Sequence, residues 1–248
     1  MSTLGAFGWY ELRTTDPGAA RSFYEEVVGW RVEQAGPSTI FYSEKSPVGG
    51  VSELPERARA LGAPSHWLGF IQVLDVDAII NRMVALGAEV RGPVRQDAGG
   101  GRVAVLRDPQ GAVMALSSGG ERESREGIAW HELHTTDHRR AWSIYAELFG
   151  WQAREIADLG PEIGEYQMFS WASAENIVGG MVSSARRPHI HTHWLFYLTV
   201  PDIDDSIDKV RSMGGSVVNG PVQVRGNARI AYCEDPQGAA FALHQSIE

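Results

Sequence analysis

The chain has little cysteine: one residue, Cys233, in 248. No disulfide can close within it, and such usage fits a reducing cytoplasm. Basic residues are also scarce. Lys and Arg number 22 against 31 Asp and Glu, a net charge of −9. That sign excludes nucleic acid, whose phosphates demand a basic face, and an anionic membrane surface. No apolar run reaches the roughly 18 residues that a membrane span needs. The opening MSTLGAFGWYEL lacks a basic segment followed by an apolar one, so it does not read as a signal peptide. Also missing are GxGxxG, a phosphate loop and a Ser/His/Asp signature. Gly99-Gly100-Gly101-Arg102 reads as a hairpin tip, not a nucleotide cradle.

What is present is one text written twice. ELRTTD at Glu11–Asp16 returns as ELHTTD at Glu132–Asp137. Trp30 returns as Trp151, Gly49-Gly50 as Gly179-Gly180, and His66-Trp67 as His193-Trp194. Asp108-Pro109-Gln110-Gly111 returns as Asp235-Pro236-Gln237-Gly238. A period near 120 residues sets two copies, residues 1–118 and 128–248, joined by a charged, Gly-bounded linker at 119–127. Each copy is long enough for its own core.

Within each copy the punctuation repeats again. Asp16-Pro17 predicts a helix start, an acceptor followed by Pro at the first helical position. Apolar residues at spacings of three and four carry that helix to Gly29. Asp137 to Phe149 reads the same way, closed by Gly150. Short strands follow, and Leu54–Pro64 reads as a crossover linker. A strand from His66, a helix from Asp75 to Leu86, two strands about a Gly-rich hairpin and a closing strand after the DPQG turn complete copy one. Copy two runs the same course through His191–Val200, Ile203–Met213, Arg229–Glu234 and Ala240–His244. The pattern is therefore four βαβββ units.

That order, with its Gly-Trp helix ends and Asp-Pro-x-Gly turns, resembles the vicinal oxygen chelate superfamily: glyoxalases, bleomycin-resistance proteins and extradiol dioxygenases. The tandem form is similar to two-domain glyoxalase-like proteins of actinobacterial type, often labelled hydroxylases. The resemblance covers nearly the whole chain. It implies an α+β fold, paired βαβββ units curled into half-barrel domains with helices outside, and a cavity that usually holds a divalent metal. It leaves the pairing open. Units one with two and three with four give sequential domains; one with four and two with three is the crosswise alternative.

The family's ligand positions are occupied here by Trp9, Leu68 and Ala115 in copy one and Trp130, Leu195 and Ala242 in copy two. None is a donor, so a metal site is expected to be degenerate. Residues two apart on a strand share a face. Two from those positions stand Glu11 and Glu132, His66 and His193, Ser117 and His244. Copy two adds His134 where copy one has Arg13, and seven of the eight histidines follow residue 127. Glu132, His193 and His244 form a two-histidine, one-carboxylate set whose chemistry suits Fe, Zn or Mn, with Ni also in the family's range. Without metal, Glu132 with His134 or His193 is an acid/base pair. Glu11, Arg13, Trp9, Trp130, His66 and Tyr197 are the expected substrate-binding residues.

Structural readings stand beside these. Trp30 and Trp151 read as core, Asp108 and Asp235 as turn residues, Cys233 as inert core, and His189 and His191 as loop residues. Three functions remain open: a lyase- or oxygenase-type enzyme of secondary metabolism or detoxification, a resistance protein that sequesters a flat apolar ligand, and a scaffold with a vestigial site. The expected partner is a small organic ligand or substrate, with the chain a monomer or homodimer.

Overall fold

Four aspartates start the four longer helices. Asp16 Oδ1 accepts the Ala19 N–H, Asp75 Oδ1 that of Ala78, Asp137 Oδ1 that of Arg140, and Asp202 Oδ1 those of Asp204 and Asp205. Each satisfies an amide that the first turn would otherwise leave orphaned. Gly29 and Gly150 close the first and third of these helices in the left-handed region, at φ 78° and 71°.

The computed structural model describes residues 4–35, 38–44, 46–97, 100–119, 127–172 and 176–247. Most of the expected linker, 120–126, and Gly99 of the hairpin tip lie outside them. The first unit is β1 (Phe7–Thr14), α1 (Pro17–Val28), β2 (Arg31–Ala35), β3 (Ser38–Ser43) and β4 (Ser46–Glu53). The stretch expected as linker after it contains a short helix, α2 (Glu56–Ala60), which starts on Pro55 with Glu56 in its first turn. The second unit is β5 (His66–Gln72), α3 (Val76–Ala85), β6 (Glu89–Val90), β7 (Arg95–Gln96), β8 (Arg102–Arg107) and β9 (Val113–Ser117). Copy two gives β10 (Ile128–His134), α4 (His138–Phe149), β11 (Gln152–Asp158), β12 (Glu165–Ser170), β13 (Gly179–Val182) and a 3-10 turn at Ser184–Arg186. It ends with β14 (His193–Thr199), α5 (Ile203–Ser212), β15 (Ser216–Val224), β16 (Ala228–Glu234) and β17 (Ala240–Ser246).

Each copy makes one sheet. The orders are β2-β3-β4-β1-β5-β9-β8-β6, with β7 beside β8, and β11-β12-β13-β10-β14-β17-β16-β15. The fold is α+β, two tandem glyoxalase-like domains carrying, among the described residues, two β-rich sheets and five helices. β1 runs parallel to β4, and β10 to β13. The Gly-Gly repeats serve this approach. A Cβ on Gly49 would stand 2.3 Å from Tyr10 O, and one on Gly179 2.2 Å from His131 O.

Packing divides the chain differently from hydrogen bonding. Two compact units appear: one of residues 1–9, 69–123 and 131–194, the other of 10–68, 124–130 and 195–248. Each takes one βαβββ unit from each copy, so sheets join units in order while compact units join them crosswise. The DPQG aspartates are used in that crosswise packing. In the first compact unit, Tyr145 Oη donates to Asp108 Oδ2 at 3.0 Å and receives Trp194 Nε1–H at 3.3 Å. In the second, Tyr24 Oη donates to Asp235 Oδ2 at 3.1 Å and receives Trp67 Nε1–H at 2.9 Å. The His-Trp repeat thus supplies a buried N–H to a Tyr–Asp pair in each unit. Trp30 and Trp151 are buried at 3% exposure, as core residues. Cys233 lies mid-strand in β16, and burial pushes its thiol up to about 12.

Candidate functional site

On β10, alternation puts Trp130, Glu132 and His134 on one face and His131 and Leu133 on the other. Parallel pairing sets Glu132 opposite Gly180 and His134 opposite Val182. Glu132 is 5% exposed. His134 Nε2 lies 3.4 Å from Glu132 Oε1, and its Nδ1 lies 2.7 Å from Ser184 Oγ. The ring of His193, at the start of β14, stacks on His134 with centroids 4.8 Å apart and planes 16° apart. The first compact unit therefore brings Glu132, His134 and His193 together.

A carbonyl acceptor fixes the tautomer of one ring. His193 Nδ1 lies 2.7 Å from the His191 carbonyl oxygen, which can only accept. Its proton is on Nδ1, and Nε2 carries the lone pair. In its Nε2–H tautomer His134 donates towards Glu132 and accepts the Ser184 hydroxyl at Nδ1. Burial pushes His134 and His193 down to about 4; for His193 the neighbouring His134 lowers it further and Glu132 opposes. Both rings are neutral at pH 7. His189 and His191 are exposed and precede β14, as loop residues.

The matching set of copy one lies in the second compact unit. Arg13 Nε donates to Glu11 Oε1 at 2.9 Å, and Ser52 Oγ donates to the same oxygen at 3.0 Å. His66 Nδ1 donates to Pro64 O at 2.8 Å, the local motif seen at His193. Burial lowers the His66 pKa, the Pro64 hydrogen bond opposes, and Arg13 and Glu11 act in opposite senses on it. A permanent guanidinium thus occupies the place of the neutral His134 ring. Trp9, the remaining copy-one candidate, is half-buried on β1.

Does the donor set fit a metal? In copy two the three family positions do converge, as an apolar cluster. Leu195, Ala242, Tyr197 and Ile230 are buried together, with Trp130 and Tyr232 packed against them. Tyr197 Oη donates to Tyr232 Oη at 3.0 Å. Trp, Leu and Ala offer no lone pair, so the residues at these positions do not fit a divalent metal. Of the expected set, Glu132 and His193 lie in the first compact unit, and His244 pairs with Thr199 in the second. Among the described residues, no three His, Cys, Asp or Glu side chains are grouped to hold an ion. Ser184 and Ser52, which orient His134 and Glu11, carry no signal in the sequence; they arrive through the turn after β13 and through β4.

The family model described as Glyoxalase/Bleomycin resistance protein/Dioxygenase superfamily matches residues 6–116 and 127–243. "Putative glyoxylase CFP32" of Mycobacterium tuberculosis is 28% identical over 251 residues, covering 96% of this chain and 94% of that protein. "Anthracycline biosynthesis protein DnrV" of Streptomyces peucetius is 28% identical over 260 residues, covering 96% and 92%. Among solved structures, the 2,3-dioxygenase LapB from Pseudomonas sp. KL28 superposes with TM-score 0.68 at 14% identity, covering 100% of this chain and 94% of that one. The Mn(II)-bound glyoxalase from Novosphingobium aromaticivorans gives 0.65 at 16%, covering 100% and 84%. At such identities these likenesses speak for the fold.

Proposed function

The chain belongs to the glyoxalase/bleomycin resistance protein/dioxygenase superfamily, and we propose that it moves protons on a small oxygenated organic molecule at Glu132, His134 and His193. One observation carries the reading: a carboxylate 5% exposed stands 3.4 Å from a neutral imidazole that stacks on a second one. Glu132 is the base. It takes a proton from carbon beside a carbonyl, and burial among neutral rings keeps water from competing for it. His134 orients that carboxylate through Nε2–H, and Ser184 holds the ring. His193 offers the Nε2 lone pair to a substrate hydroxyl. The donor set at the family's ligand positions routes no step through a metal. CFP32, named as a glyoxylase, is consistent with chemistry of this class.

Binding without turnover is the second reading. It is favoured by the buried Leu195, Tyr197, Ile230 and Ala242 cluster, with the partly buried Trp130 against it, and by relatives named for anthracycline biosynthesis. A deuterium-exchange assay separates the two. Wild-type protein in heavy water, given a panel of α-hydroxycarbonyl compounds, incorporates deuterium at the carbon beside the carbonyl. Glu132→Gln slows this by about 10²–10⁴-fold while ligand-induced change in tryptophan fluorescence persists. A fluorescence change with no exchange in wild type leaves the binding reading in place of the first.

A further inference from the structure

A second group of reactive side chains lies on the first compact unit, distinct from Glu132, His134 and His193. The N-terminus of α4 borders a cleft of about 550 Å³, lined by Ser183, His138, Glu165, Arg139 and Arg186 among others. None of Glu132, His134 and His193 lines it. The three groups of interest come from three places: Ser183 follows β13, His138 opens α4 and Glu165 opens β12. No spacing in the sequence marks them.

Ser183 Oγ lies 2.9 Å from His138 Nδ1 and accepts the His138 backbone N–H at 3.0 Å. His138 Nε2 lies 3.7 Å from Glu165 Oε2. Arg139 donates to the same Glu165 oxygen at 2.6 and 3.2 Å and holds that carboxylate in place. In the tautomer with its proton on Nε2, on the side of Glu165, the ring carries its lone pair on Nδ1 and the Ser183 hydroxyl donates to it. This is the role pattern that activates a hydroxyl nucleophile, with the two ring nitrogens exchanged from the usual serine hydrolase arrangement. Burial is the largest influence on His138 and lowers its pKa; Glu165 and Asp137 oppose it, and Arg139 and Arg186 add to it. The ring is a neutral base at pH 7.

We propose that Ser183, His138 and Glu165 form a separate reaction centre that cleaves small carboxylic esters with good leaving groups. Ser183 Oγ bonds to the ester carbonyl carbon while its proton passes to His138 Nδ1. Arg186, anchored through Nε to Thr136 O at 2.6 Å, lines the cleft and supplies a cation for the tetrahedral oxyanion. The bond to the leaving alkoxide then breaks, and the alkoxide takes the proton from Nδ1. Water, deprotonated by the same nitrogen, hydrolyses the acyl-serine and restores the hydroxyl. No oxidant or reductant is needed.

The test uses the full chain and diisopropyl fluorophosphate, followed by intact mass and peptide mapping. The expected result is one diisopropylphosphoryl group per chain, on Ser183. Its rate falls once acid protonates His138, and 4-nitrophenyl acetate turnover is lost in step with labelling. His138→Asn slows labelling by about 10²–10⁴-fold in protein whose circular dichroism matches wild type. Labelling absent from wild type overturns the proposal, and so does labelling elsewhere. These readings require no folded variant and do not depend on the Glu132 chemistry.

Discussion

His131 shows what burial does to a titratable ring. It stacks on Phe7 at 5.3 Å with planes 2° apart, and its Nδ1 donates to Val178 O at 2.9 Å. Burial pushes its pKa down to about 4, with the Val178 bond opposing. The folded ring therefore binds fewer protons than the unfolded one between pH 6.5 and about 4. Its stabilising contribution is full above 6.5 and is lost as pH falls through that window, to a total of about 3 kcal/mol. Urea midpoints measured from pH 7 to 4.5 should fall steeply in wild type and less steeply in His131→Phe; equal slopes would refute the account. The metal question also belongs to single residues. With Trp130, Leu195 and Ala242 at the ligand positions, protein purified without chelator should carry well under one equivalent of Fe, Zn, Mn or Ni. Stoichiometric metal surviving dialysis would show that other donors had been overlooked.

Among elements, the pairing of β10 with β13 is the most exacting. Gly179 must let the His131 carbonyl pass within 2.2 Å of where a Cβ would be, and a Cβ on Gly180 would meet the Tyr166 ring at 2.0 Å. Backbone cannot yield cheaply, so Gly179→Ala should destabilise by about 1–3 kcal/mol or more and loosen the register that places Glu132. Gly18 in α1 is the control: its added Cβ meets only Asp16 Oδ1, at 3.4 Å. There alanine should be neutral or stabilise by about 0.5–1 kcal/mol. Chemical denaturation of both variants decides; equal effects would mean that the close approach does not matter. Helix limits were legible because Asp-x-x and Gly act locally. The α2 helix was not, since five residues with no buried side chain leave no periodicity to read.

At the scale of the whole molecule, the repeat and the compact units disagree. Each compact unit draws one βαβββ unit from each copy, and each contains a Tyr–Asp pair that links the two copies: Tyr145 with Asp108, Tyr24 with Asp235. Burial raises the pKa of both aspartates above the usual carboxylate range. Leaving either without its phenol costs about 1–3 kcal/mol. Residues 1–118 alone should therefore lack a stable monomeric fold, and mixing or co-expressing them with 119–248 should restore the native circular dichroism spectrum and one chromatographic species. A monomeric 1–118 fragment that melts like the full chain would refute this.

The sequence by itself determined the fold class, the two copies and the four βαβββ units. Those follow from local signals: capping aspartates, helix-ending glycines, strand alternation and a period near 120 residues. It also brought Glu132, His134 and His193 forward as candidates, because parity along a strand puts alternate side chains on one face. Tertiary structure alone decided that units pair in order by hydrogen bonds and crosswise by packing. A single repeat can satisfy both, and nothing local distinguishes them. Tertiary structure also decided that Trp130, Leu195 and Ala242 close into an apolar cluster, that His244 belongs to another compact unit than Glu132, and that Ser184 holds His134. Ser183, His138 and Glu165 meet only because α4, β12 and the end of β13 converge. Side chains 18, 27 and 45 residues apart have no periodic relation that a linear reading can detect; only the packing of their three elements gives them one.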